Sequence, residues 1–138
     1  MEADFKAILT GHAPLTALVP AARITPTQYT QATGNPCLRY TKIDGITGLH
    51  MQGSDGLSST LMQIDIRGVT YASVLAVRNV LVGTHGHGGL LHPYRGIEGA
   101  TAFQLIQLRS DRGVQFEKPG SVEYYTTSLD FDVWSKAA

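Results

Sequence analysis

Residues 57–82 read LSSTLMQIDIRGVTYASVLAVRNVLV, a strand signal run almost directly into a helix signal. Met62, Ile64 and Ile66 alternate with Gln63, Asp65 and Arg67, the period of two that suits a strand with one wet face. Gly68 breaks the alternation, and Thr70 is suited to cap a helix that begins at Tyr71. From there Tyr71, Val74, Leu75, Arg78, Leu81 and Val82 recur three or four residues apart. Only Arg78 interrupts the apolar stripe, so the spacing predicts a helix lying on a sheet.

The flanking segments supply the rest of that sheet. Upstream, Glu2–Leu9 predicts a short helix with Phe5, Ile8 and Leu9 on one face, ended by Gly11. Leu15, Leu18 and Val19 offer a second apolar turn after Pro14. Arg23–Thr25 predicts a short strand, and residues 37–44, CLRYTKID, a better one with Leu38 and Tyr40 facing one way. Downstream, Thr101–Arg109 pairs Phe103 with Leu105 and Ile106 with Leu108 on opposite faces, as in a strand covered on both sides. In residues 121–134, SVEYYTTSLDFDVW, Tyr125, Leu129, Phe131 and Val133 alternate with Asp130 and Asp132. The expected fold is α+β, a mostly antiparallel sheet with two helices packed on one face. Met62–Ile66, Tyr71–Val82 and Leu129–Val133 are its expected core.

The 138 residues fit a single domain over 1–138. Charged residues make up 16% of the chain, with a formal net charge of zero, against about 25% in a typical soluble domain. Low charge and 15 glycines suggest surface meant to be covered by something else. Neutrality also argues against affinity dominated by phosphate neutralisation. Cys37 is the single cysteine, consistent with folding in a reducing compartment and with a small buried hydrophobe. No apolar run approaches the ~20 residues of a membrane span. The acidic, amphipathic MEADFKAILTGH lacks the basic start of a signal peptide.

Two stretches, about 45–59 and 110–121, read as extended loops. The first, GITGLHMQGSDGLSS, far exceeds a usual hairpin connection of about 2–5 residues. It is either a surface loop or an arm that orders against a neighbouring subunit, since Ile46, Leu49, Met51 and Leu57 are wasted in solvent. With Arg112 and Phe116 of the second stretch, these residues are the candidates for inter-subunit or other docking contacts.

Catalytic signals are thin. His85, His87 and His92 could ligate zinc and serve a small metal-dependent hydrolase. They lie in a glycine-rich segment with no HExxH or comparable carboxylate spacing, so nickel picked up adventitiously is the better reading. Asp130 and Asp132 share a strand face, as solvent-facing polar residues also do. There is no GxSxG, no Walker loop and no dinucleotide loop. Arg39, Lys42, Arg67, Arg78, Arg95, Arg109, Arg112 and Lys118 are scattered and are expected to be solvated or paired with acids. Neither an enzyme nor a cofactor is expected.

The pieces ILTGHAPLTALVPAARI, NPCLRYTKID, LMQIDIRGVTYASVLAVRNVL and SLDFDVW resemble, in order and approximate spacing, the tail-completion or tail-terminator family. That family belongs to long-tailed bacteriophages and their prophage and gene-transfer-agent relatives. The resemblance covers over half the chain and departs in residues 45–59 and 85–89. It implies a virion structural protein, assembled in the host cytoplasm, that forms a ring, usually a hexamer. Such a ring caps the head-proximal end of the tail tube, halts tube growth and meets the head's connector or stopper. DNA passes through it without sequence-specific binding, and the family has no catalytic residues to carry over. A stopper or tube subunit is the neighbouring alternative.

Overall fold

The computed structural model describes residues 1–28, 35–50, 53–85, 88–118 and 123–138, leaving out the side chains of 46–56. The chain runs through α1 (Glu2–Thr10), α2 (Ala13–Leu18), a 3-10 turn (Ala21–Arg23), β1 (Ile24–Pro26), β2 (Cys37–His50) and β3 (Gly53–Gly68). It continues with α3 (Tyr71–Val82), β4 (Tyr94–Glu98), β5 (Thr101–Asp111), β6 (Gln115–Glu117) and β7 (Tyr124–Ala137). The strands form one sheet in the order β1-β2-β3-β7-β5-β4, and β6 pairs with β7 off that path. Strand β1 lies parallel to β2, and the other described pairings are antiparallel. The α+β expectation therefore holds.

The sheet is built outward from β3 and β7, which pair without a shift from Ser58↔Ser135 to Gly68↔Tyr125. This register puts Met62 opposite Phe131 and Ile64 opposite Leu129. All four are fully buried, as the two alternating patterns require. The helices cover that face: Phe5, Ile8 and Leu9 of α1, Leu15 of α2, and Val74, Val77, Leu81 and Val82 of α3 join the same cluster.

Helix α3 starts where Thr70 predicts. Its Oγ1 accepts a hydrogen bond from the Ser73 backbone N–H at 3.2 Å, and Ser73 Oγ donates to the Thr70 carbonyl at 2.9 Å. Gly68 makes the abrupt strand-to-helix change possible, because a Cβ there would lie 2.7 Å from Ser73 Oγ and 3.0 Å from Val74 Cγ2. The buried stripe runs through Val74, Val77, Leu81 and Val82, so Val77 takes the place expected of Leu75. Tyr71 is exposed, and Arg78 sits at the stripe's margin, donating through Nε (3.0 Å) and a terminal nitrogen (2.7 Å) to Asp111 Oδ2.

Several boundaries differ from the sequence reading, each for a local reason. Residues 45–50 and 53–59 are strand rather than loop, with β2 and β3 paired out to His50↔Gly53. Register shifts between Lys42 and Asp44 and between Thr47 and Leu49, together with four glycines, erase the alternation that would have announced these strands. In residues 110–121, β6 folds back on β7 and shortens the expected loop. The apolar turn after Pro14 is a helix of its own. Strand β4 arises inside a glycine-rich segment with no clear alternation. In β5, the shift between Phe103 and Leu105 places Gln104 as an extra residue. Phe103, Ile106 and Leu108 then all join or pack on the core, while Leu105 is left on the opposite side, against the two-faced burial expected.

Removing the Phe131 side chain from the centre of this core should cost about 3–5 kcal/mol. Ile97, 71% exposed on β4, should tolerate Ala within about 0.5 kcal/mol. Urea unfolding of F131A and I97A checks both.

Candidate assembly surfaces

The sheet face opposite the helices is lined by the residues that alternate with the core. At its middle, arginines and aspartates of neighbouring strands pair. Arg39 Nε lies 2.7 Å from Asp65 Oδ2, a terminal nitrogen of Arg112 lies 2.7 Å from Asp130 Oδ2, and Arg109 lies 3.6 Å from Asp132. Asp65 is the anchor of this array. Its Oδ1 accepts from Gln63 Nε2 at 2.8 Å and from Ser128 Oγ. Burial pushes the Asp65 pKa up, but hydrogen bonds from Ser128, Gln63 and Arg39 and the charge of Arg39 outweigh it, so the net shift is downward. Asp130 and Asp132 thus share a face as expected, each held by an arginine.

The two ends of the sheet are apolar instead. At the end where β2 and β3 leave the sheet, Leu57, Leu105 and Trp134 line a groove of about 530 Å³ together with Gln104 and Lys136. Gln104, the extra residue at the β5 register shift, lies in its wall. Gln104 and Lys136 also line an adjoining hollow that extends to Ile97 of β4. At the other end, Phe116 and Tyr125 approach at 5.3 Å between ring centroids, and Tyr71 meets Tyr125 edge-on at 6.2 Å. Phe116, Tyr71 and the adjacent Val69 are each more than half exposed. The Arg67 guanidinium stacks over the Tyr124 ring at 4.6 Å on the same end.

The residues singled out from sequence divide between these surfaces. Leu57 lines the groove, Phe116 joins the aromatic cluster, and Arg112 belongs to the ion-pair array. Met51 lies outside the described residues, as do the side chains of Ile46 and Leu49, whose backbones belong to β2. Trp134 and Leu105, the most apolar walls of the groove, were missed. Trp134 occupies a polar-side position in an alternating strand, a signal the pattern did contain.

The two described histidines of this segment have different surroundings. His92 Nδ1 accepts the Leu108 backbone N–H at 2.9 Å. His85 lines a separate pocket with His12, Asn79 and Thr84. His87 lies outside the described residues. Among the described residues no group of three or more His, Cys, Asp or Glu side chains could hold a metal ion. Cys37 is buried, its thiol 3.7 Å from Asn35 Oδ1.

No family model matches the chain, and no curated protein does. Among solved structures, the fold is similar to that of a chain in the virion of a native gene transfer agent particle. The TM-score is 0.68 at 11% sequence identity, covering 99% of this chain and 94% of that one.

Because the folded Asp65 pKa lies below its unfolded value, its ionised form stabilises the fold above about pH 4. That contribution disappears as pH falls through the lower folded value. Asp65→Asn should therefore lose about 1–2 kcal/mol at pH 7 and show a flatter pH dependence below pH ~4, read from urea titrations at several pH values. His92→Ala, which deprives a backbone N–H of its acceptor, should cost about 1–2 kcal/mol without changing metal content.

Proposed function

We propose that this chain is a virion structural protein of a phage-type or gene-transfer-agent-type tail. In this reading it is one tail-terminator-like domain that closes into a ring, six subunits by the family resemblance. The ring caps the head-proximal end of the tail tube, halts its growth and meets the head's connector or stopper. DNA passes through the centre with no sequence-specific contact.

The observation that carries the reading is the β2–β3 arm. Among the described pairings Ser58 is the last β3 residue in register with β7, while β3 continues beside β2 out to Gly53. An isolated two-stranded ribbon is marginal in water, and this one carries Ile46, Leu49 and Met51 in its sequence. Such an arm makes sense where another chain covers it. The two unlike apolar ends of the sheet suit a ring that meets a different partner on each side. Ile46, Leu49, Met51 and Leu57 are assigned to lateral contacts, and Phe116 with neighbouring Arg112 to docking on tube or head. The fold likeness to a chain of the gene transfer agent virion supports the same reading.

The chemistry of the site favours no enzymatic alternative. The histidine segment offers His92 already engaged by a backbone N–H, and the paired aspartates are held by arginines.

Negative-stain electron microscopy and light scattering of the purified chain, alone and with isolated tail tubes, test the proposal. Rings, or particles confined to one end of each tube, are expected. Long filaments of the chain alone would identify a tube subunit instead, and failure to bind tube ends contradicts the proposal. His85→Ala/His87→Ala protein should assemble as the parent does, with or without chelator. Phe116→Ala should weaken tube-end or connector binding at least tenfold while leaving the ring intact.

A further inference from the structure

We propose that Asp111 is a positioning residue for the Phe116 docking surface. It pins a one-residue bulge at Gly113, and that bulge decides which face of the sheet Phe116 occupies. The inference rests on the docking role given to Phe116 above and says what presents that side chain.

Strand β5 stays paired with β7 as far as Asp111↔Leu129, and the pairing resumes in β6 at Gln115↔Thr126. The chain takes four steps from Asp111 to Gln115 while β7 takes three, which leaves one residue extra. Gly113, at φ 72°, adopts the left-handed conformation that suits such a bulge. Because side chains alternate along a strand, one inserted residue exchanges the faces of everything beyond it. With the insertion, Phe116 stands opposite Tyr125 and stacks on it, where Tyr125 also meets Tyr71 of α3. Without it, the β5 register would run on to set Phe116 opposite Tyr124, the ring that Arg67 covers. The docking side chain would then leave the aromatic cluster.

Bonds from β5, β7 and α3 hold the bulge. Asp111 Oδ1 accepts the Gly113 backbone N–H at 2.9 Å, closing a turn that Asp side chains favour. Its Oδ2 accepts two guanidinium nitrogens of Arg78 on α3. Arg78 is steadied in turn by the Gly83 carbonyl at the end of that helix, 3.4 Å away. From β7, the hydroxyl of buried Thr127 donates to the Gly113 carbonyl at 3.0 Å. The Arg112 N–H donates to the Ser128 carbonyl at 3.2 Å. Beyond the bulge Gln115, Phe116 and Glu117 are all exposed, so β6 has little burial of its own to fix its register. Among the described residues, Asp111 is the one whose side chain bonds both to the bulge and to a helix.

Asp111→Ala, Phe116→Ala and the double variant test this through binding to isolated tail tubes and to tail-free heads. Circular dichroism first establishes that each variant folds. Asp111→Ala should weaken the same binding that Phe116→Ala weakens, by about tenfold. The double variant should bind as Phe116→Ala does, since both substitutions withdraw one ring. In Asp111→Ala, amides 115–117 should exchange about tenfold faster relative to those of Met62–Ile66. A Cβ at Gly113 would meet nothing within 4 Å, so substitutions there report backbone conformation alone. Gly113→Asn, which tolerates a left-handed φ, should bind as the parent does, whereas Gly113→Val should fall with Asp111→Ala. This pair carries the test if Asp111→Ala does not fold. Should Phe116→Ala weaken binding while Asp111→Ala or Gly113→Val does not, or should the losses multiply in the double variant, this inference is overturned and the docking reading stands. Binding unchanged by Phe116→Ala overturns the docking reading, and this inference with it.

Discussion

The uninterrupted pairing of β3 with β7 is the constraint from which the rest follows. Its register sets two alternating patterns in phase, so that Met62, Ile64, Leu129, Phe131 and Val133 all turn to the helices. A slip of one residue would send this entire set to the other face. The pairings on either side are less strict: β2 and β5 both shift register against this central pair. Of those shifts, the one between Thr47 and Leu49 falls in the outer hairpin and the one between Phe103 and Leu105 at the groove.

The same register creates the second face. Side chains that alternate with the core cannot reach the helices, and at mid-sheet they form arginine–aspartate pairs around Asp65, with Asp130 Oδ1 buried and without a hydrogen-bond partner among the described residues. Toward the ends the pairing gives way to Leu57, Leu105 and Trp134 at one extremity and to Phe116, Tyr125 and Tyr71 at the other. A sheet with an ion-paired middle and greasy ends is suited to being stacked and joined at those ends.

What could be read from the chain alone depended on regular periodicity. The alternation at Met62–Ile66 and Leu129–Val133, and the cap at Thr70, located the core and the strand-to-helix corner correctly. Where a bulge interrupts the period, the reading failed: Gln104 shifts β5 by one residue, and the breaks at Lys42–Asp44 and Thr47–Leu49 hide the outer strands of the hairpin. Glycine-rich sequence hid β4 in the same way. Val77 displaced Leu75 from the helix stripe because the contact side of an amphipathic helix is set by the sheet beneath it, which local spacing does not specify. The groove went unseen because its walls come from three strands distant in sequence. Only the pairing order brings them together.

The central claim is that the β2–β3 arm is an incomplete element until another chain covers it. Amide hydrogen exchange measures this directly, since a ribbon without tertiary cover opens at far lower free energy than a core strand. In the dilute, unassembled chain, amides of residues 46–50 and 53–57 should exchange at least a hundredfold faster than those of Met62–Ile66, and on assembly they should slow toward the core rate. Arm amides that are already protected in the dilute chain, or that remain unprotected in the assembled one, would contradict the account.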